Sequence, residues 1–181
     1  MNSKAKEILS TSLYVLFILA LSFILIKFVG QRTEVIGDSM NPTLYDGNNL
    51  IMDKISYRVH EPERFDVIVF PPRNDPDGKN YIKRIIGLPG ETVRIDKEGN
   101  IYIDDQVLSE NFGLEVIEDP GLAAKDVYLG YDEYFVLGDN RNNSIDSRFS
   151  TVGKVNKSEI IGKAWVRIWP LNEIGFIKHQ R

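Results

Sequence analysis

Apolar positions fall into two regimes along this chain. Residues 8–26 are 19 consecutive positions without a charge, dominated by Leu, Ile, Phe and Val. As a helix rising about 1.5 Å per residue, such a run reaches about 28 Å, just enough for a bilayer core. Lys27 can snorkel its ammonium to the headgroups, while Phe28 and Val29 extend the apolar surface into the interface. The stretch has no polar face, which opposes a buried helix of a soluble core. Its length, and the absence of a small-x-small site at Val29, Gly30 and Gln31, oppose a cleaved leader. The pattern predicts a short N-terminal segment at residues 1–7, a single transmembrane helix at 8–29 and a folded domain at 30–181, with a cytoplasmic N-terminus allowed rather than required. Lys4 and Lys6 on one side are matched by Lys27 and Arg32 on the other, so charge alone leaves the orientation open.

Beyond Gly30 the apolar runs become short and turn-punctuated, at residues 50–52, 65–70, 92–95, 101–103, 134–137 and 164–169. They predict a mainly β domain of antiparallel strands. Glu98-Gly99-Asn100 sits between two alternating runs as a hairpin turn does, and residues 71–80, with Asp-Pro and Asp-Gly, read as a surface loop. Two irregular stretches, 110–126 and 140–153, exceed hairpin lengths, and long loops often carry function.

The composition fits one globular domain with an accessory segment: 181 residues, 43% hydrophobic and 27% charged. A formal net charge of −4 without a basic patch argues against a nucleic-acid partner. The absence of cysteine excludes a thiol nucleophile, a disulfide framework and a Cys-based zinc site. There are two histidines. His60 stands in a Glu/Pro-rich loop and His179 near the C-terminus, and both are expected to be solvated. No G-x-S-x-G elbow, H-E-x-x-H or phosphate-binding glycine loop is present.

Three segments carry candidate chemistry. Gly37-Asp38-Ser39-Met40-Asn41-Pro42 places a serine on a bend after a glycine and before a proline. Alone it reads as a turn residue, because a serine hydroxyl needs a base to become a nucleophile. Tyr81-Ile82-Lys83-Arg84-Ile85-Ile86 sets a lysine among bulky apolar neighbours. On a strand Lys83 shares a face with Tyr81 and Ile85, and Arg84 points the other way with Ile82 and Ile86. Burial lowers an ammonium's pKa toward the working range; the alternative is a strand lysine whose stem covers apolar surface while its head stays wet. Gly138 to Arg148 is dense in donors and acceptors. It reads as a solvated loop, or as one in which Asp146 and Arg148 pair while Ser144 orients the lysine amine.

These segments, in this order after an apolar N-terminal run, resemble the bacterial type I signal peptidases, in the compact Gram-positive-type form. The matching stretches are G-D-S-M-N-P-T-L, E-R-F-D-V-I-V-F, Y-I-K-R-I-I-G-L-P-G and G-D-N-R-N-N-S-I-D-S-R. The resemblance implies a partly open β-barrel tethered to the cytoplasmic membrane, with its catalytic domain on the extracytoplasmic side. It implies a serine endopeptidase that removes signal peptides from exported preproteins after Ala-x-Ala-like sites, beside the lipid bilayer and with the secretion translocon nearby. Ser39 inherits the nucleophile's role and Lys83 the general base's, with neither metal nor cofactor. Ser144 is implied to contact the Lys83 amine. Asp146 and Arg148 are implied to form a salt bridge near the site, with Arg84 close by. Val35, Met40, Leu44, Tyr81 and Ile82 are implied to line shallow pockets for small side chains. Gly37 stands where some members carry a serine that assists the oxyanion, which leaves the second oxyanion donor unassigned. Asn142 stands where an aspartate is common, and no role is attached to it.

Overall fold

A computed structural model of the chain describes residues 3–24, 30–71, 73 and 78–178. The chain begins with helix α1 (Ser3–Ile24). Its apolar side chains are exposed on every side, for instance Ile8 at 68%, Leu13 at 57%, Phe17 at 64% and Leu19 at 62%. Side chains of α1 are described to residue 22, and residues 25–29 lie outside the described residues. The expected span at 8–29 is therefore described only in part. Among the described residues, no helix is long and apolar enough to cross a membrane.

The remainder is mainly β, as the short alternating runs predict. The strands are β1 (Gly30–Glu34), β2 (Asn49–Asp53), β3 (Val67–Phe70), β4 (Tyr81–Gly87), β5 (Thr92–Ile95) and β6 (Ile101–Ile103). They continue with β7 (Gln106–Val107), β8 (Val127–Tyr128), β9 (Glu133–Leu137), β10 (Val155–Asn156), β11 (Gly162–Trp169) and β12 (Gly175–Phe176). One sheet runs β1-β2-β11-β3-β4-β9-β10, with β12 added to β11, and a smaller one runs β7-β6-β5-β8. The pairings are antiparallel. Among the described residues the end strands β1 and β10 do not pair with each other, so the larger sheet is open. The Glu98-Gly99-Asn100 turn joins β5 to β6, with Ile95 opposite Ile101.

The unbroken apolar run of β3 has a packing reason: all four of its residues are buried, because both faces of the sheet are covered. Val67 and Val69 join a cluster with Val35, Met40, Leu44, Leu50, Met52 and Ile82. Ile68 and Phe70 join another with Ile85, Tyr134 and Val136. A third cluster, including Ile86, Val93, Ile95, Phe135 and Leu137, ties the two sheets together. Strand β4 sits between β3 and β9, in the best covered part of the domain, and it carries Lys83.

Candidate active site

The serine segment leaves the sheet at the end of β1. Val35 still pairs, its N–H donating to Asn48 O at 2.8 Å while its O accepts from Gly47 N at 3.0 Å. Gly37 then takes a φ of 81°, a left-handed conformation that glycine adopts without a Cβ clash. Its N–H donates to Asp46 Oδ1 at 2.7 Å. Residues 38–44 fold back, with Asn41 N donating to Asp38 O at 3.1 Å and Leu44 N to Met40 O at 2.9 Å. This coil buries Met40 and Leu44 in the core and leaves Ser39 half-buried above it.

Lys83 pairs with Ile68 across β3 and β4 and is only 3% exposed. Its Nζ donates to Ser39 Oγ at 2.6 Å, and it lies 5.6 Å from the Tyr81 ring centroid, on the face the strand reading assigned to both. Loss of hydration pulls the Lys83 pKa down to about 8. The Asp146 and Asp139 carboxylates push it back up, and Arg148 adds to the depression. Of the two readings open for this lysine, the buried one holds.

Two buried ion pairs frame the dyad. Arg148 grips Asp146 through Nε to Oδ1 at 2.8 Å and Nη2 to Oδ2 at 2.9 Å, and Asp146 Oδ2 accepts from Gly138 N at 3.1 Å. Arg84 belongs to a different pair. It binds Asp139, Nε to Oδ1 at 2.9 Å and Nη2 to Oδ2 at 2.7 Å, with Thr43 Oγ1 donating to Asp139 Oδ2 at 2.5 Å. Asp139 was not legible from its neighbours: the nearby Arg141 pairs with Glu110, and the partner of Asp139 is 55 residues away. Gly138 is where backbones meet. A Cβ there would stand 2.2 Å from Ser144 Oγ and 2.4 Å from Ser39 O, so this position has room for a hydrogen and nothing larger.

Ser144 is buried beside the dyad, and its Oγ has no hydrogen-bond partner among the described residues. The implied contact with the lysine amine is thus not made as a hydrogen bond in this structure. A cleft of about 270 Å³ opens over the dyad, lined by Val35, Met40, Tyr81 and Ile82 with Ser39, Lys83 and Ser144. Leu44, expected in that lining, is not part of it. The turn from Met40 to Leu44 directs it into the core, where it is 1% exposed. Gly37 also lines the cleft, and Ile36, Asp38, Asn80, Asn143 and Ile145 complete it; these last five were not singled out from sequence, because loop positions show no periodicity. His60 is exposed, as expected; His179 lies outside the described residues.

The loop at 110–126 is lashed to the Gly138–Arg148 segment. Asn142 Nδ2 donates to Glu115 Oε2 at 3.1 Å and to Val116 O at 2.9 Å, and its Oδ1 accepts from Glu118 N at 3.0 Å. Asn142 is therefore a clamp for that loop.

A half-buried serine hydroxyl held against a buried lysine of lowered pKa, at the wall of a cleft, has the nucleophile-and-base geometry of a hydrolase. The comparison with known proteins agrees. The model of the family "Signal peptidase, peptidase S26" matches residues 8–169, and the chain belongs to that family. It is 41% identical over 154 residues to the probable signal peptidase I-2 of Synechocystis, covering 83% of this chain and 68% of that one. It is 34% identical over 173 residues to signal peptidase I of Bacillus licheniformis, covering 88% of each. A crystal structure of a signal peptidase I from Enterococcus faecalis V583 aligns with a TM-score of 0.46 at 33% identity, covering 58% of this chain and 97% of that one.

Proposed function

We propose that this chain is a type I signal peptidase that removes N-terminal signal peptides from exported preproteins, with Ser39 as nucleophile and Lys83 as general base. The observation that carries the reading is the 2.6 Å approach of Lys83 Nζ to Ser39 Oγ with the lysine buried. Deprotonated, the amine offers a lone pair to the hydroxyl. Ser39 Oγ attacks the scissile carbonyl as its proton passes to Lys83, which then hands that proton to the leaving amine. Water then attacks the ester carbonyl as Lys83 takes its proton, the acyl–Oγ bond breaks, and Lys83 returns the proton to Ser39 Oγ. The Ser39 N–H, without a partner among the described residues, is available to the developing oxyanion.

Substrate selection follows from the floor of the cleft. An extended leader adds beside the serine and lysine segments, and alternate side chains point down. Val35, Met40 and Ile82 are packed against core behind them, so the floor cannot retreat, and side chains larger than alanine are excluded sterically. Ser144, Asp146, Arg148 and Arg84 support the dyad by fixing the loop and strand that hold it. The all-round apolar, uncovered surface of α1 supports an anchor in the cytoplasmic membrane, with the domain on the extracytoplasmic side beside the translocon. Fifteen residues, including the five of β1, lead from the end of α1 to Ser39 and reach at most about 50 Å, which keeps the site tethered near the lipid surface.

The test is cleavage of a preprotein bearing an Ala-x-Ala leader by the detergent-purified chain, with the new N-terminus read by mass spectrometry. The wild type cuts after the final alanine, and Ser39→Ala does not. A folded wild type that leaves every leader intact, or a Ser39→Ala variant that still cuts, overturns the reading.

A further inference from the structure

The Ser39 N–H needs an aim as well as freedom, and the structure holds a device that supplies one. Asn140 touches the serine turn twice. Its side-chain Nδ2 donates to Asp38 O at 3.1 Å, and its backbone N–H donates to Ser39 O at 3.0 Å. These two acceptors belong to successive peptide units. Asp38 O and Ser39 N–H are the two ends of one planar group, and in a trans peptide they point in opposite directions; the Asp38–Ser39 bond is not among the cis peptides, which include Asn41–Pro42. Whatever grips Asp38 O therefore fixes where Ser39 N–H points. Asn140 is not among the residues lining the cleft, whereas Asp38 and Ser39 are. The gripped end of the peptide thus faces Asn140, and the free N–H faces away from it.

Asp38 O also accepts from Asn41 N at 3.1 Å, but that bond lies within the serine turn and moves with it, so Asn140 is the grip that anchors this peptide from outside the turn. Gly37, just before it, is in the left-handed region, from which a glycine can rotate readily. Asp38 is exposed, and its side chain accepts a bond of 3.3 Å from Asn41 Nδ2 that does not touch the peptide plane. The second contact, from Asn140 N, holds the next peptide, and the tight seat of Gly138 under Ser39 O keeps it from shifting.

We infer that Asn140 is a positioning residue for the oxyanion site: its side-chain amide orients the Asp38–Ser39 peptide so that Ser39 N–H meets the charge that develops on the substrate carbonyl. The inference rests on the serine-nucleophile reading above and assigns a role that the dyad alone does not. A donor that must find its own orientation during the reaction loses much of the advantage of preorganisation.

The experiment compares wild type with Asn140→Leu, which keeps the shape and removes the donor without adding charge, and Asn140→Ala, which guards against a steric effect of leucine. Preprotein cleavage is followed for kcat and KM from pH 6 to 10, beside thermal melting of each protein. Both variants are expected to lose about ten- to a hundredfold in kcat, with KM within twofold and the midpoint of the pH profile unmoved, because Lys83 is untouched. Melting stays within a few degrees of wild type. Variants with wild-type kcat overturn the inference. So does a loss confined to KM, a shifted pH midpoint, which places the effect on the dyad instead, or a kcat loss that follows a fall in melting temperature. A wild type inert on all leaders overturns the functional reading itself, and this inference with it.

Discussion

Replacing Lys83 with methionine tests whether this lysine is held in a hostile environment. Burial depresses its pKa from the ordinary 10.5 to about 8. The difference of 2.5 pKa units corresponds to about 3 kcal/mol at about 1.36 kcal/mol per unit. The unfolded chain binds a proton at Lys83 more readily than the folded one, so the wild type is penalised by that full amount below pH 8, where both states are protonated. The penalty fades as pH rises from 8 to 10.5 and is gone above that, where both states are neutral. Lys83→Met removes the titration. Lost packing and the lost Ser39 contact shift the variant by an offset that does not depend on pH in this window, so the informative quantity is the difference between the two proteins as pH changes. Urea denaturation at half-unit steps from pH 7 to 10.5 measures it. The wild type should gain about 3 kcal/mol on Lys83→Met across the range, with the gain beginning near pH 8. A difference that stays flat from pH 7 to 10.5 refutes the depressed pKa and, with it, the physical basis for a lysine base near neutral pH.

Three further substitutions probe the frame around the dyad. Gly138→Ala forces a Cβ to within 2.4 Å of Ser39 O; it should cost about 1–3 kcal/mol by overpacking and lower kcat at least tenfold, checked by melting and preprotein cleavage. Asp139→Ala leaves the Arg84 guanidinium buried without its bidentate partner and should destabilise by about 3–5 kcal/mol in chemical denaturation, well beyond what an exposed ion pair such as Arg73–Glu159 contributes when Glu159→Ala is measured alongside. Asn142→Asp removes the donor to Val116 O and sets a carboxylate beside Glu115. It should loosen the loop at 110–126, seen as faster amide exchange there, with Lys83 and Ser39 still in contact and kcat changed less than threefold.

What the sequence revealed, and what it hid, divides along physical lines. Strands buried on both faces announce themselves as continuous apolar runs, so β3 and β9 were legible, whereas β1, with the sequence Gly-Gln-Arg-Thr-Glu, carries too few apolar residues to show a period. Its existence depends on pairing with β2. The meeting of Ser39 and Lys83 was legible through motif order and not through spacing, since they touch across 44 residues. The Asp146–Arg148 pair is local, two residues apart, and could be anticipated. The Arg84–Asp139 pair is a tertiary contact and could not. Leu44 was expected in the cleft because it belongs to the serine stretch, but a helix-like turn from Met40 swings it into the core. Asn140 was overlooked because its partners are backbone carbonyls, which leave no trace in the identity of the residues that carry them.

The central claim is that a neutral Lys83 activates Ser39, and the pH–rate profile of preprotein cleavage tests it most directly. The wild-type rate should climb tenfold per pH unit from pH 6, level off above about 8, vanish in Lys83→Ala and be unaffected by His60→Ala. A rate that is flat across that range, a midpoint that moves with His60→Ala, or a Lys83→Ala variant that still cleaves would contradict it.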